Sequence, residues 1–327
     1  MKNLSTVILI FAFNRPYHLE NLLKSLVKNK ESKQLPLVFF LDGARNNDDQ
    51  LKIKKIKEII IKYEKYLNLK KINERPINIG SKMNILNGIS ESLIDYETAI
   101  VLEDDLIIDK YFLKYMLDSL KLYQYEKRIF HISGFSFFNS TQSNETFFTR
   151  YMNCWGWATW SKKWSLLQTD PIAIQQNFSK KDIYEFNIEN SHNFYRQIVE
   201  NKVGLLKTWA IYWYATIFKS NGLCLMPKHT LVKNQGYDGS GERFGKSIYQ
   251  YEFKEEVITF FPKNISEDKE SLLLLKNYFK KRENIIDKFV KFLVYLLPYK
   301  YQKSITRFLI RLRFLIKKAF SYSIFNN

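Results

Sequence analysis

The sequence predicts an α/β fold, a mostly parallel sheet flanked by helices, and three observations carry that expectation. Apolar runs at Thr6–Phe13, Leu35–Leu41 and Ala99–Leu102 are continuous rather than alternating, which is how strands buried on both faces read. Stretches with apolar residues at helical spacing lie between these runs, so strand and helix alternate as right-handed parallel crossovers require. Each strand-to-helix junction in this half also carries polar or glycine residues, which places them together at one edge of the sheet.

Taken in order, Asn14-Arg15-Pro16 ends the first strand, and Pro16 suits the start of a helix whose Leu19, Leu22, Leu23 and Leu26 share one face. The second strand stops at Asp42-Gly43. Asp48 or Asp49 is the expected cap of a helix through Ile53, Ile56, Ile59, Ile60 and Tyr63, with lysines on its other face. A short strand is expected near Lys71-Ile72, then the junction Asn78-Ile79-Gly80-Ser81-Lys82, a helix through Ile85, Ile89 and Leu93, and the strand Ala99–Leu102. Asp109 suits the cap of a helix through Phe112, Tyr115, Met116, Leu120 and Tyr123, and Ile129–Gly134 reads as a further strand. Residues 136–147, rich in Ser, Asn, Thr and Phe, read as a loop over the site. The domain is expected to span residues 1–250, with 251–327 as a basic, amphipathic, helical tail.

A chain of 327 residues can bury a substantial core, and its 26 Phe and 21 Tyr argue against general disorder. Cys154 and Cys224 are the only cysteines. Two isolated thiols make neither a disulfide framework nor a zinc cluster, and they fit a reducing compartment. The run Val7–Phe13 is too short to span a bilayer and lacks a small-residue cleavage site, so it reads as a strand and not a signal peptide. The net charge of +18 is concentrated: residues 276–327 hold thirteen Lys and Arg against Glu283 and Asp287, a surplus of 11. A charge so localised does not mark the whole chain as a nucleic-acid binder.

The third buried run delivers Glu103-Asp104-Asp105, and apolar residues resume at Leu106. Three adjacent carboxylates repel one another unless a cation lies among them. Hard divalent ions such as Mg²⁺ and Mn²⁺ choose carboxylate oxygens and keep positions open for substrate phosphates. The crevice of an α/β sheet lies at the carboxyl ends of its strands, where these acids fall. Asn14-Arg15, Asp42-Gly43 and Gly80-Ser81-Lys82 gather there too. An acid can accept from a base or from ribose hydroxyls, and N–H groups at a helix start with a lysine beside them can meet phosphate. Each junction taken singly also fits a plain turn; together they point to a metal–diphosphate site. No G-x-G-x-x-G follows the first strand and no GK[ST] exists, so this is neither a dinucleotide fingerprint nor a P-loop.

With Phe13-Asn14-Arg15-Pro16, Leu41-Asp42-Gly43, Asn78-Ile79-Gly80, Val101–Asp105, Tyr151–Trp160 and the segment Gly222–Gly236, residues 4–245 resemble GT-A-fold glycosyltransferases, whose Rossmann-like mixed sheet is mostly parallel. More narrowly they resemble bacterial sugar transferases of the N-acetylglucosaminyltransferase I type and family 2-like enzymes. Glu103-Asp104-Asp105 alone is weakly specific; followed by Trp155-Gly156-Trp157-Ala158-Thr159-Trp160 it is strong. The resemblance implies a nucleotide-sugar half over about 1–110 and an acceptor half over about 111–250. It implies that Asp105 binds Mn²⁺ or Mg²⁺ on the donor diphosphate, that Asp104 and Glu103 face the nucleotide, that Asp42 lies near base or ribose, and that Asn14 and Arg15 lie beside the nucleotide. Gly80 and Lys82 complete the nucleotide-sugar site by the junction reading above.

Trp155, Trp157 and Trp209 are expected to stack on sugar, with Gly156 letting the backbone approach a ligand closely, while Trp160 and Trp164 read as core. Relatives carry an acid where this chain has Ala210, and a histidine after a Gly-Ser-Gly segment where it has Glu242. Asp238 is therefore the leading candidate for the base that deprotonates the acceptor, Glu242 the alternative, and Asp170 and His131 stand behind them.

The implied activity is metal-dependent transfer of a sugar from a nucleotide diphosphate donor, a UDP-sugar first, to a hydroxyl of a bacterial surface glycan such as a lipo-oligosaccharide, capsule or other polysaccharide, with inversion. The acceptor would be a glycan or lipid-linked glycan. Ile285–Leu297 and Ser304–Phe320 are basic and amphipathic but too short to span a bilayer, which suits attachment to an anionic membrane surface, the inner face of the plasma membrane of a cytoplasmic protein. Two rivals share the residues: a catalytically degenerate carbohydrate- or membrane-binding protein, which Ala210 favours, and a nucleotidyltransferase, which needs a Gly-rich basic first loop that Phe13–Tyr17 does not supply.

Overall fold

The structure, a computed structural model, describes residues 4–138, 145–204, 206–238 and 252–282. The first half alternates as expected: β1 (Thr6–Ala12), α1 (Pro16–Val27), β2 (Pro36–Leu41), α2 (Asn47–Glu64), β3 (Asn68–Glu74), α3 (Gly80–Asp95) and β4 (Thr98–Glu103). A short β5 (Leu106–Ile108) leads to α4 (Phe112–Leu122), β6 (Ile129–Ser133), β7 (Thr146–Thr149) and β8 (Trp157–Trp160). Helices α5 (Ser161–Trp164), α6 (Pro171–Gln176), α7 (Lys180–Phe186), α8 (Tyr195–Lys202) and α9 (Ala210–Lys219) follow, then β9 (Leu223–Pro227), β10 (Val232–Asn234) and α10 (Lys269–Arg282).

The fold class is α/β, a mostly parallel mixed sheet with helices on both faces. Its strand order is β3-β2-β1-β4-β8-β6-β9-β7. β1 pairs in parallel with β2 and with β4, and β2 in parallel with β3. β8 runs antiparallel between β4 and β6, and β7 antiparallel at the far edge. Alternate residues of β1 serve opposite layers. Ile8 and Ile10 pack with α1, α2 and α4 through Leu22, Ile56 and Met116. Val7, Leu9 and Phe11 face α3 and the later helices through Ile89, Trp213 and Leu275. A strand covered on both faces has no solvent side, hence the unbroken apolar run.

Five local expectations are corrected. Asn46 caps α2, its side chain accepting from Asp49 N at 2.9 Å; Asp49 is occupied elsewhere, by Arg45 and Asn14. Asp109 is not the cap of α4, which begins at Phe112 after Tyr111; its carboxylate accepts from Tyr111 N at 2.8 Å. The strand near Lys71-Ile72 is longer, Asn68–Glu74, because it forms the sheet's edge along the whole of β2. Of the expected loop over the site, 136–147, Ser136 is buried and Thr146 and Phe147 open a buried edge strand paired with β9, while 139–144 fall outside the described residues. Within the expected tail, Leu272, Leu275 and Phe279 of α10 are buried in the domain core, so the globular part runs on to α10. The helices expected at 285–297 and 304–320 lie outside the described residues. No helix among the described residues is long and apolar enough to cross a membrane.

Candidate active site

Parallel pairing of β1 with β4 fixes the heart of the site. Phe11 stands opposite Glu103, so the residues just past each strand meet at the same sheet edge. Asp104 N donates to Phe11 O at 3.0 Å, and Phe13 N donates back to Asp104 Oδ2 at 3.2 Å. Arg15, the residue before α1, then reaches across. Its Nη2 lies 2.5 Å from Asp104 Oδ1 and its Nη1 3.0 Å from Asp105 Oδ2. One planar guanidinium thus bridges two carboxylates, a geometry a lysine could not reproduce.

The electrostatics follow from burial. Asp104 is 2 % exposed; burial pushes its carboxyl up to about 6 against the pull of Arg15, with Asp105 adding to the rise. Burial also disfavours the Arg15 charge, but the two carboxylates outweigh it and hold the guanidinium more firmly protonated than usual. Arg15 is therefore the resident counter-ion of the acid cluster.

A second strand pair completes the cluster. β5 pairs antiparallel with β10, which brings Asn234 opposite Leu106. Gln235 N donates to Asp105 O at 2.7 Å, and Gly236 lies so close that a Cβ there would stand 2.3 Å from Asp105 Oδ2. Around this corner opens a cavity of about 560 Å³, lined by Asn14, Arg15, Asp42, Asn78, Gly80, Glu103, Asp104, Asp105, Asn234 and Gly236. The lining also includes Cys154, Trp155, Lys207, Thr208, Trp209 and Ala210. The four junctions do converge. Asn14 is held there by Asp49, its Nδ2 donating to Asp49 Oδ1 at 2.7 Å, and hydrogen bonding from Arg45 holds Asp49 down at about 2.

Other expected site residues have different places. Asp42 lines the cavity but is 4 % exposed, and its carboxylate gathers the 78–80 turn. Lys82 is not among the lining residues; its Nζ lies 4.4 Å over the Tyr212 ring and 3.2 Å from its hydroxyl. Trp157 is wholly buried, stacked between His131 at 4.9 Å and Trp209 at 5.4 Å, so it cannot meet a sugar. Central position in the sheet explains this, since β8 lies between β4 and β6. Trp155 and Trp209 do line the cavity. Gly156, at φ 58°, makes room for Val232 and Phe112 and not for a ligand. Trp160 and Trp164 are core, their indoles donating to Leu120 O and Ser90 Oγ.

Of the base candidates, Asp238 pairs with His18, Oδ2 to Nε2 at 3.0 Å, and is not a lining residue. Glu242 lies outside the described residues. Asp170 caps α6 by accepting from Ile172 N. His131 is completely buried, its Nε2 donating to Asn153 O at 2.9 Å and its Nδ1 accepting from Trp213 Nε1 at 3.3 Å. Burial lowers it to about 3, so it is a neutral core residue. Asn78, Arg45, Asn234 and Gly236 are lining residues whose roles were not read from the sequence. Their signal is tertiary: Asn234 and Gly236 meet Asp105 only through the pairing of β5 with β10.

The donor set fits a divalent ion held on a diphosphate. Asp105 and Glu103 line the same cavity, and Mg²⁺-type sites take one or two carboxylates and leave the rest to phosphate and water. Among the described residues no three His, Cys, Asp or Glu converge as a full protein cage.

No protein-family model matches the chain, and no curated protein matches it. Solved structures do. TarS of S. aureus in complex with UDP-GlcNAc is 22 % identical, with a TM-score of 0.31 over 44 % of this chain and 39 % of that one. The mannosyltransferase PcManGT of Pyrobaculum calidifontis, in complex with GDP-Man and Mn²⁺, is 11 % identical, with a TM-score of 0.41 over 67 % of this chain and 70 % of that one. GalNAc-T7 with UDP, GalNAc and Mn²⁺ is 11 % identical, with a TM-score of 0.43 over 72 % of this chain and 44 % of that one. The match to TarS thus spans less than half of that protein's length.

Proposed function

We propose that this chain is a GT-A-type glycosyltransferase that moves a sugar from a nucleoside diphosphate donor to a hydroxyl of a bacterial surface glycan. The observation that carries the reading is the convergence of the ends of β1, β2 and β4 and the start of α3 on one cavity, with Trp155 and Trp209 also in its lining. Strand ends supply polar groups for nucleotide and phosphate, and aromatic faces suit the C–H faces of sugars.

In this reading Asp105, with Glu103 beside it, would hold a divalent ion. Such an ion supplies Lewis-acid stabilisation of the negative charge on the leaving diphosphate. Arg15 orients Asp104 and Asp105 and keeps their charge compatible with burial. Asn14 and the Gly80 turn bind the nucleotide. Trp155 and Trp209 orient sugar and exclude water beside the anomeric carbon. A base then takes the acceptor proton as the hydroxyl attacks opposite the diphosphate, giving inversion. Asp238, carried on the segment that begins at Gly236 and tied to His18, remains the group we assign to that step.

A screen of nucleotide sugars with Mn²⁺ for binding and for slow donor hydrolysis tests this. We expect one donor, a UDP-sugar first, to bind and turn over in wild type and to do so at least a hundredfold more slowly in Asp105→Ala. Binding without any turnover would favour the rival reading of a carbohydrate-binding protein, to which Ala210 in the cavity lining gives its one structural support. No binding of any nucleotide sugar would sink the proposal.

A further inference from the structure

The carboxylate of Asp42 has no hydrogen-bonding capacity left. Its Oδ1 accepts from Gly43 N and Ile79 N, each at 2.9 Å. Its Oδ2 accepts from Gly80 N at 2.9 Å and Asn78 Nδ2 at 3.0 Å. A carboxylate offers about four lone-pair sites, and four donors fill them. The group is also buried at 4 % exposure. It shapes the turn that starts α3, and a base could reach it only by displacing one of these donors.

Asn78 is the neighbour with capacity to spare. Its Nδ2 donates twice, to Asp42 Oδ2 at 3.0 Å and to Gly43 O at 2.9 Å. Both partners only accept, so the amide cannot be turned over, and both of its hydrogens are committed. Oδ1 is left as an acceptor with no donor among the described residues, on a half-buried side chain that lines the cavity. The amide is thus held rigidly by Asp42 and presents acceptor capacity alone.

Resting on the nucleotide-sugar reading above, we infer that Asn78 Oδ1 determines base specificity by accepting the ring N–H of the donor's base. The chemistry it recognises is an imide or lactam N–H, present in uracil at N3 and in guanine at N1 and absent from the ring nitrogens of cytosine and adenine. Asp42 acts as a positioning residue through Asn78 and the Ile79–Gly80 amides. A site built to pair a ligand N–H rejects an analogue that lacks it, because its own acceptor is then left without a partner.

Calorimetric titration of the full chain with UDP and N3-methyl-UDP, and with GDP and N1-methyl-GDP, all with Mn²⁺, tests the assignment. The pair that binds in its unmethylated form names the base. Wild type is expected to bind that form at least about tenfold more tightly than its methylated partner. In Asn78→Ala the ratio is expected to fall to about threefold or less. Because the readout is a ratio within each variant, a general loss of affinity cancels. Asn78→Ser repeats the measurement if the alanine variant does not fold. A ratio unchanged in these variants, or near one in wild type, overturns the role of Asn78 while leaving the nucleotide reading intact. Binding of no nucleoside diphosphate at all overturns that reading, and this assignment with it.

Discussion

Gly236 lies against Asp105 with no room for a side chain between them: a Cβ at position 236 would stand 2.3 Å from Asp105 Oδ2 and 3.1 Å from Asn234 Oδ1. The two residues are 131 positions apart in sequence, and they meet because β5 pairs with β10. Gly236→Ala should push the Asp105 carboxylate out of place while leaving the core untouched. We expect the affinity for nucleoside diphosphate with Mn²⁺ to fall about tenfold or more, equivalent to roughly 1.4 kcal/mol, with little change in thermal midpoint. Calorimetric titration with and without Mn²⁺ reads the first and scanning calorimetry the second; unchanged Mn²⁺-dependent affinity would contradict the proposed part of Asp105.

Arg15 supplies the charge that lets Asp104 stay ionised at 2 % exposure. Removing one partner of a buried pair is expected to cost about 3–5 kcal/mol. Asp104 already has a raised carboxyl, at about 6. A raised acid binds protons more tightly folded than unfolded, so its stability penalty develops as pH rises towards that value. In Arg15→Met the folded value rises further, and the penalty keeps growing at higher pH. Urea unfolding should therefore show a gap between wild type and variant that widens from pH 5 to pH 8. A gap independent of pH would show that Arg15 does not control the charge on Asp104.

His131 has the opposite sign. Its folded value of about 3 lies below its ordinary value of 6.5 because burial disfavours the imidazolium. Stability from the neutral ring is fully present above pH 6.5 and is lost as pH falls towards 3. Each pH unit inside that window changes stability by up to about 1.4 kcal/mol. Urea midpoints of wild type should fall from pH 7 to pH 5 more steeply than those of His131→Asn. Equal slopes would mean that His131 is not the buried neutral residue described here.

The basic stretch after α10 bears on location. Leu275 is wholly buried, while residues 283–327 carry most of the surplus positive charge of the chain's end. Truncation after Arg282 should therefore leave the domain folded and abolish sedimentation with anionic vesicles, which in the full chain should weaken as salt rises. Equal sedimentation of both chains would exclude the tail as the attachment.

Much of this molecule was legible because burial leaves its mark on composition. Thr6–Ala12 and Thr98–Glu103 are covered on both faces, so both appear as unbroken apolar runs. Their parallel pairing then makes the junction residues neighbours, which is why the sequence alone groups Asn14, Arg15, Asp104 and Asp105. Trp157 illustrates the limit. Nothing local separates a tryptophan at a cavity from one two residues along; Trp157 lies within β8, whose place in the sheet is set by β4 and β6, whereas Trp155 precedes that strand across Gly156 at φ 58°.

The sequence by itself determined the α/β architecture, the acid cluster at the end of β4 and the basic character of the C-terminal region, because these depend on periodicity, run length and charge. Only the tertiary structure decided how each polar group is used. It gave Asp104 and Asp105 to Arg15, filled Asp42 with four donors, left Asn78 Oδ1 without one among the described residues and turned Lys82 towards Tyr212. Hydrogen-bonding capacity is finite, and which partners claim it depends on distances between segments far apart in the chain.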